Sequence, residues 1–182
     1  MQTLVGEPMT PTPATTPTTE DSTVAARITR FVETDYGKVT AAVALATGDR
    51  DAAEDGVQDA LVKIVAAHHE PDSLAAWVTV VATNEVRQRH RRSRSEDRAA
   101  GRLDEPDVPE PEAAAERTDV RAAISRLPER QREIVLLHYY LDTSVADIAT
   151  VMEITAGTVK TQLHRARASL GTALGSKQED AS

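Results

Sequence analysis

The nine prolines of this 182-residue chain limit its fold more than any other sequence feature, because proline interrupts both helices and central strands. They lie in an N-terminal stretch, in one acidic segment, and at the isolated positions Pro71 and Pro128. Between these positions, apolar residues recur every three or four residues, and no strand-like alternation of any length occurs. The pattern predicts an all-α protein with two helical blocks.

Composition indicates where the two blocks begin and end. Residues 1–22 contain seven Thr and four Pro. Because they can bury too little apolar surface to offset the loss of conformational entropy on folding, we expect a disordered tail. We expect a first helical domain over 23–95 and a flexible acidic linker over 96–118. A second helical domain over 119–177 and a short tail over 178–182 complete the predicted organisation.

Several classes of function find no support in the residues. The chain has no Cys, which excludes disulfides, thiolate metal sites and cysteine nucleophiles. Adjacent His68 and His69 would point about 100° apart on a helix and could not chelate one ion together, so we expect no metal site. No phosphate-binding glycine loop, serine elbow or zinc-protease motif is present, and we expect neither an enzyme nor a cofactor. No membrane-length apolar run and no secretory signal are seen, which predicts a cytoplasmic protein without membrane insertion.

The formal net charge of −8 hides two basic stretches. Residues 84–102 carry seven basic and three acidic side chains, and residues 153–177 carry four and one. Two such stretches could hold two separate lengths of phosphate backbone, while the acidic remainder suppresses indiscriminate binding to polyanions. Charge alone favours the simpler interpretation, in which both stretches are solvated helix faces.

The first basic stretch follows the apolar side of a predicted helix. After a turn around Pro71, Leu74, Trp77 and Val78 mark that apolar side. The opposite side carries polar residues spaced three and four apart, which makes them neighbours on one surface. These residues are Asn84, Arg87, Gln88 and Arg91.

The second basic stretch lies in a predicted helix-turn-helix. Ser144 and Asp147 form a capping box for a short helix, and Thr155 is a plausible cap for the last helix. Glu153 stands where glycine is common, so the turn must avoid positive φ or tolerate strain. The outward residues of the last helix could face base edges in a major groove, although an ordinary helical hairpin has the same pattern. They are Lys160, Thr161, His164 and Arg165.

Taken in order, several segments resemble the bacterial extracytoplasmic-function (ECF) RNA polymerase sigma factors. The segments are AEDGVQDAL (53–61), Trp77 with Asn84 and RQRHRRSR (87–94), LPERQREIVLLHYYL (127–141), SVADIA (144–149) and GTVKTQLHRARASL (157–170). The resemblance covers about 31–174, and its order and spacing are more specific than any single motif.

The resemblance implies two sigma domains with different partners. The first, a region 2-like bundle, would dock on the clamp of the large polymerase subunit and recognise and melt the −10 element. The second, a region 4-like helix-turn-helix, would bind the polymerase flap and read the −35 element. The implied polymerase-binding residues are Asp55, Gln58, Asp59 and Val62. The implied −10 residues are His68, His69, Asp72, Ser73, Trp77, Asn84, Arg87, Gln88, Arg91 and Arg92. The implied −35 residues are Arg132, His138, Thr158, Lys160, Thr161, His164, Arg165 and Arg167.

The chain departs from the family pattern at two places. Gly56 stands mid-helix where the family usually has a bulky apolar residue, which predicts a lost packing contact. Ala66 and Ala67 stand where a large ring is often found, so strand opening depends on a near-consensus promoter or an activator. Two other functions stay open: a stand-alone helix-turn-helix regulator, and a polymerase-binding adaptor without transcriptional competence. Many relatives are held inactive by an anti-sigma partner, and the sequence does not show whether this chain has one. The linker could follow the path by which RNA leaves the polymerase, or it could be a plain tether.

Overall fold

A computed structural model describes residues 19–67, 70–100 and 118–179, and these residues form helices with no strand among them. None of the described helices is long and apolar enough to cross a membrane. The helices are α1 (Thr19–Thr34), α2 (Tyr36–Thr47), α3 (Arg50–Ala67), α4 (Leu74–Ala99), α5 (Thr118–Ser125), α6 (Glu129–Val135), a π-helical turn (Leu136–Tyr140), α7 (Val145–Val151) and α8 (Ala156–Glu179).

Helices α1 to α4 pack around a core of small and medium side chains. Val39, Val57, Ile64, Val78 and Val86 are each at most 1% exposed. The chain has one Phe and one Trp, so valine and alanine supply most of this core. Small side chains fill a core only if the helix axes come close together.

Gly56 allows that close approach between α3 and α4. A Cβ atom at this position would lie 3.0 Å from Val86 Cγ2 and 3.1 Å from the carbonyl oxygen of Ala82. The lost packing contact predicted at Gly56 is therefore wrong, because α4 occupies the space that a larger side chain would fill. The helix-propensity cost of glycine, about 1 kcal/mol relative to alanine, is offset by contact between the two helices.

Helices α5 to α8 and the π-helical turn form a second core. Ile134, Leu137, Ile148, Val159 and Leu163 are each at most 2% exposed. The apolar pattern predicts one continuous helix through residue 141, whereas the structure changes from α-helical to π-helical geometry at Leu136. Asp142 then takes a left-handed backbone conformation with φ 51°.

The two helical domains contact each other directly. Ala76 and Val80 of α4 belong to the second core, and Leu141 packs against both cores. Helix α2 contacts the π-helical turn, α5 and α6, and α4 contacts α7. The sequence predicts two modules held apart by a tether, and this packed interface is a finding of the structure.

The predicted boundaries differ from the observed helix ends in two places. Helix α1 begins at Thr19, inside the predicted tail, and α4 continues to Ala99, inside the predicted linker. Both extensions are polar, and their sequences lack the proline that would end a helix. Residues 1–18, 101–117 and 180–182, which hold most of the predicted tail and linker, lie outside the described residues.

Asp49 connects the start of α3 to α4. Its Oδ1 accepts from the backbone N–H of Ala52 at 2.9 Å, and its Oδ2 lies 3.0 Å from His90 Nε2. The Ala52 N–H and then His90 lower the pKa of the Asp49 carboxyl. Because the folded-state pKa is depressed, the stabilisation is present above the unfolded value of 3.8 and is lost as the pH falls through the folded value.

We expect Asp49→Ala to lower the free energy of unfolding at pH 7 by about 1 kcal/mol, through loss of the helix cap. Urea unfolding of both proteins between pH 7 and pH 3 measures this effect. The difference between them should shrink toward the acid end. A difference that stays constant with pH would show that the charge of Asp49 contributes nothing.

Candidate nucleic-acid interface

Helix α4 begins at a side-chain cap and carries one polar surface stripe. Ser73 Oγ accepts from the backbone N–H of Ala76 at 3.3 Å, so this predicted −10 residue caps the helix. Asn84, Gln88 and Arg91 are exposed, and Arg92 beside them is exposed too. The structure therefore keeps these predicted residues together on one accessible face.

Asn84 and Trp77 line an open groove between α3 and α4. Ala67, Trp77 and Val81 supply its apolar part. Lys63, Asn84 and Glu85 supply its polar part, and Lys63 forms an ion pair with Glu85 that lowers the pKa of the Glu85 carboxyl. An apolar surface beside a few fixed polar groups suits a flat, polar-edged ring such as a nucleobase.

The loop before α4 is described only in part. Asp72 is exposed, whereas His68 and His69 lie outside the described residues.

Arg87 departs from the prediction of an exposed phosphate contact. Its side chain is 13% exposed, and Nη1 donates to Glu133 Oε2 at 2.9 Å. Nε lies 3.6 Å from a carboxylate oxygen of Glu129 on the same helix, α6. The helical spacing that groups Arg87 with Asn84 also brings it beside Ala76 and Val80, the α4 residues that the second domain covers.

The predicted polymerase-binding residues lie on the exposed side of α3. Asp55, Gln58, Asp59 and Val62 follow helical spacing on one face, and Val62 is 65% exposed. Arg89 of α4 forms ion pairs with both carboxylates, at 3.8 Å from an oxygen of Asp55 and closer to Asp59. This face combines fixed negative charge with an exposed apolar side chain.

Helices α7 and α8 form a helix-turn-helix whose two N-termini are capped. Ser144 Oγ accepts from the N–H of Asp147 at 3.1 Å and donates to its carboxylate at 2.7 Å, so the carboxylate reaches the hydroxyl of the cap. Thr155 Oγ1 accepts from the N–H of Thr158 at 3.1 Å. Both predicted caps are confirmed.

The turn between these helices has a left-handed residue. Glu153 has φ 54° and donates its N–H to Thr150 O at 3.2 Å, while Ile154 N–H donates to Ala149 O at 2.9 Å. These two bonds define a Schellman ending, a position that favours glycine. The sequence predicts either a turn without positive φ or a turn with backbone strain at Glu153, and the structure has the strained turn.

We expect Glu153→Gly to raise the free energy of unfolding by about 0.5–1 kcal/mol. A non-glycine residue in the left-handed conformation costs the folded state about 1–2 kcal/mol, and glycine removes this cost. Glycine also raises the conformational entropy of the unfolded chain, which cancels part of the stabilisation. Urea unfolding measures this change in the free energy of unfolding. Thr150→Gly is the control, because Thr150 has helical backbone geometry and glycine there should destabilise the protein. A loss of stability in Glu153→Gly would contradict the argument.

The last helix presents one buried and one exposed face. Val159, Leu163 and Ala166 are at most 2% exposed. The opposite face carries the residues predicted to read DNA, all of them exposed on the surface. They are Thr158, Lys160, Thr161, His164, Arg165 and Arg167.

Two of the implied −35 residues outside α8, Arg132 and His138, make contacts within the chain. Arg132 is half-buried, and its guanidinium donates to Ala46 O at 3.0 Å and to the Ser125 and Leu127 carbonyls at 2.6 and 3.1 Å. The Arg132 donors therefore bind backbone carbonyls of this chain, and its contact with DNA stays a prediction. His138 Nδ1 lies 2.9 Å from Thr143 O.

Arg167 stays exposed but contacts an aromatic ring. Its Nε donates to the hydroxyl of Tyr139 at 2.5 Å, and its Cζ lies 5.9 Å from the ring centroid.

Sequence reasoning missed Glu133, the buried acid that meets Arg87. Its side chain is 4% exposed, and burial raises the pKa of its carboxyl, which Arg87 only partly offsets. A signal was available, since Glu133 directly precedes the apolar run 134–137. Its partner is 46 residues away in sequence, and no local pattern identifies it.

The geometry defines a class of protein: a two-domain helical protein with a helix-turn-helix and a second polar helix face. The sigma-70 region 2 family matches residues 31–96, and the sigma-70 region 4 family matches 117–170. The ECF RNA polymerase sigma factor SigL of Mycobacterium tuberculosis is 32% identical over 133 residues, covering 66% of this chain and 73% of its own. The ECF sigma factor EcfG of Rhodopseudomonas palustris is 31% identical over 134 residues, covering 70% and 74%.

Two solved structures share the fold. The sigma factor RpoE of Bartonella quintana, solved with the anti-sigma factor NepR, is 25% identical with a TM-score of 0.66. The match covers 82% of this chain and 97% of that one. CnrH, solved with the cytosolic domain of CnrY, has a TM-score of 0.57, is 22% identical and covers 86% and 96%. The chain belongs to the ECF RNA polymerase sigma factor family, and it directs RNA polymerase to promoters.

Proposed function

We propose that the two helical domains divide promoter recognition between them. The region 2-like domain (23–95) docks on core polymerase and opens the −10 element, and the region 4-like domain (119–177) reads the −35 element. Residues 96–118 connect them. The observation that carries this division is the pair of exposed polar helix faces, on α4 and α8, that the packed domains leave accessible.

The α4 groove is suited to one extruded base. Trp77 offers a ring for stacking, and the exposed amide of Asn84 offers a donor and an acceptor for the base edge. Gln88, Arg91 and Arg92 continue the same surface, where their donors can contact the phosphates of the displaced strand. Extrusion of a base requires such a shaped pocket and no catalytic group.

The α8 face is suited to a major groove. Lys160, Thr161, His164 and Arg165 are spaced so that they face one side, and the capped N-terminus of α8 adds a favourable dipole for phosphate. Thr158 lies at that N-terminus, and Arg167 lies two residues after Arg165.

The exposed face of α3 is suited to the polymerase clamp. Val62, Val65 and Ala66 form an exposed apolar stripe beside Asp55, Gln58 and Asp59. An apolar centre with a charged edge is typical of protein interfaces. Arg89 holds Asp55 and Asp59 in place before the partner arrives.

Run-off transcription with host core polymerase on a promoter library tests the proposal. We expect a salt-resistant complex with core and transcripts that begin at one defined promoter class. A shift of duplex DNA without polymerase would instead indicate a stand-alone regulator. Binding to polymerase without initiation would indicate an adaptor.

We expect Asn84→Ala to slow strand opening by about 2–12-fold, the equivalent of about 0.5–1.5 kcal/mol for lost hydrogen bonds. Permanganate footprinting of the open complex measures it, and core binding by pull-down should not change. Glu54→Ala, an exposed change on the neighbouring helix, is the control. Equal loss of core binding and strand opening would contradict a role in base capture and indicate misfolding.

Three further parts of the function rest on the relatives alone. The chain supplies specificity and the polymerase supplies catalysis, and both act in the cytoplasm. An anti-sigma partner is proposed because both similar structures were solved with a partner chain. Titration of the purified chain with candidate host proteins during run-off transcription would identify such an inhibitor.

A further inference from the structure

Helix α1 contacts the loop that joins α3 to α4 through the side chain of Arg27. Its Nη2 donates to the carbonyl oxygen of Pro71, and its Nη1 lies 4.0 Å from a carboxylate oxygen of Glu70. The two terminal amino groups of one guanidinium therefore meet two consecutive loop residues, a geometry that suits the planar fork of arginine donors. Arg27 precedes residue 31, where the sigma-70 region 2 match begins.

Apolar packing holds the Arg27 side chain against the rest of the domain. Val24, Ile28, Ile64 and Leu74 line a small cavity together with Arg27. Val24 is 6% exposed and Ile64 is 1% exposed, so this end of α1 is anchored on the core. The aliphatic stem of an arginine packs on apolar surface while its charged end reaches polar groups. Helix α1 can therefore support the loop.

The same loop connects the two walls of the groove that the proposed function assigns to an extruded base. Ala67 at the end of α3 and Trp77 in the first turn of α4 both line this groove. Between them, Ser73 Oγ accepts from the N–H of Ala76, and Ser73 O accepts from the N–H of Trp77 at 3.0 Å. A shift of the loop at Pro71 is therefore transmitted to the start of α4 and to the Trp77 ring.

The hydrogen bond to Pro71 restrains the loop more than the ion pair beside it does. The side chains of Arg27 and Glu70 are 35% and 46% exposed, and ion pairs between such exposed groups contribute little to stability. The Pro71 carbonyl belongs to the backbone, so a hydrogen bond from a charged donor fixes the path of the chain itself.

We infer that Arg27 is a positioning residue for −10 recognition, which holds the loop 70–73 so that the base-binding groove is formed before DNA arrives. A site that is formed in only a fraction of the molecules loses affinity by that fraction. Arg27 itself contacts neither DNA nor polymerase in this role. The inference rests on the proposed role of the α4 groove in base capture.

Hydrogen exchange of the full chain tests the support of the loop in the absence of DNA. Arg27→Met keeps an aliphatic stem and removes every donor. We expect the amides of Ala76 and Trp77, whose acceptors are on Ser73, to exchange about 3–10-fold faster, the equivalent of one lost hydrogen bond. Unchanged exchange at these two amides would overturn the inference.

Two control variants separate the hydrogen bond from charge and from folding. Arg30→Met removes the same charge from an exposed position on α1, and Glu70→Gln removes the ion pair but keeps the Pro71 carbonyl. Both should change exchange at Ala76 by less than about two-fold. An effect of Glu70→Gln as large as that of Arg27→Met, or equally faster exchange throughout α2 and α3 in Arg27→Met, would overturn the inference.

Base discrimination tests the consequence for DNA. Polymerase holoenzyme is bound to −10 non-template oligonucleotides that carry each of the four bases at each position, and Asn84→Ala identifies the position whose base is captured. At that position, Arg27→Met should lower the affinity for the preferred base about 3–10-fold and the affinity for the other bases less, because only the preferred base uses the fully formed groove. Affinity for core polymerase and for duplex −35 DNA should not change. An equal loss for all four bases would overturn the inference.

The Asn84→Ala variant also distinguishes the two possible failures. If Asn84→Ala reduces base discrimination and Arg27→Met does not, the positioning role is overturned and the proposed function stands. If neither variant reduces it, the assignment of the α4 groove to base capture is overturned together with the positioning role. Promoter-specific run-off transcription by the parent would still support the division of promoter recognition between the two domains.

Discussion

Gly56→Leu is expected to lower the free energy of unfolding by about 1–3 kcal/mol, the usual cost of overpacking a core. The first side-chain carbon alone would lie 3.1 Å from the backbone carbonyl of Ala82, which cannot rotate away. A leucine must therefore push α4 away from α3. The same shift would widen the groove between Trp77 and Lys63, so we expect weaker strand opening as well.

The matched control for this substitution is Gly171→Leu on α8. Gly171 is also helical, but a side chain there meets no atom within 4 Å. Leucine should stabilise this helix by about 0.5–1 kcal/mol, because glycine is the poorer helix former. Urea unfolding of the three proteins gives the comparison. Equal stability changes in the two variants would show that the helix contact at Gly56 does not limit side-chain size.

Arg165→Ala is expected to weaken binding to the −35 element by about 1–3 kcal/mol, which is about 5–150-fold in affinity. The exposed guanidinium lies on the outward face of α8, where it can donate two hydrogen bonds to a guanine edge. Competition binding of polymerase holoenzyme to promoters with single −35 substitutions measures the effect. At one base position of the −35 element, the variant should discriminate less between the four bases than the parent does.

Arg126→Ala is the control for Arg165→Ala, since it removes the same charge from an exposed position before the helix-turn-helix. A similar loss in both variants would indicate general electrostatic attraction, because phosphate contacts weaken binding uniformly across sequences. Unchanged promoter use by Arg165→Ala would contradict the assignment of α8 as the recognition helix.

Local patterns predicted much of the second domain. The spacing of Val159, Leu163 and Ala166 predicts the buried face of α8, and the residue types at Ser144 and Thr155 predict the two caps. These features depend on residues at most four positions apart, so the sequence carries the necessary information. The sequence does not predict the π-helical turn, because its apolar residues fit an α-helical pattern equally well.

The first domain shows the limit of such patterns. The polar side of α4 was predicted as one surface, and Asn84, Gln88 and Arg91 do share it. Arg87 follows the same helical spacing and carries the same charge as Arg91, yet it faces the other domain. Helical spacing predicts which residues are neighbours, but it does not predict which neighbouring element covers them.

The sequence by itself determined most of the α-helical segments, the caps at Ser144 and Thr155, the two basic stretches and the family, because each depends on short-range chemistry or on motif order. The tertiary structure alone decided which of those charged residues are accessible. It paired Arg87 with Glu133, tied Arg132 to Ala46 O and made Gly56 a point of helix contact. Each of these depends on distances between residues far apart in the chain, and such distances are set only when the helices pack.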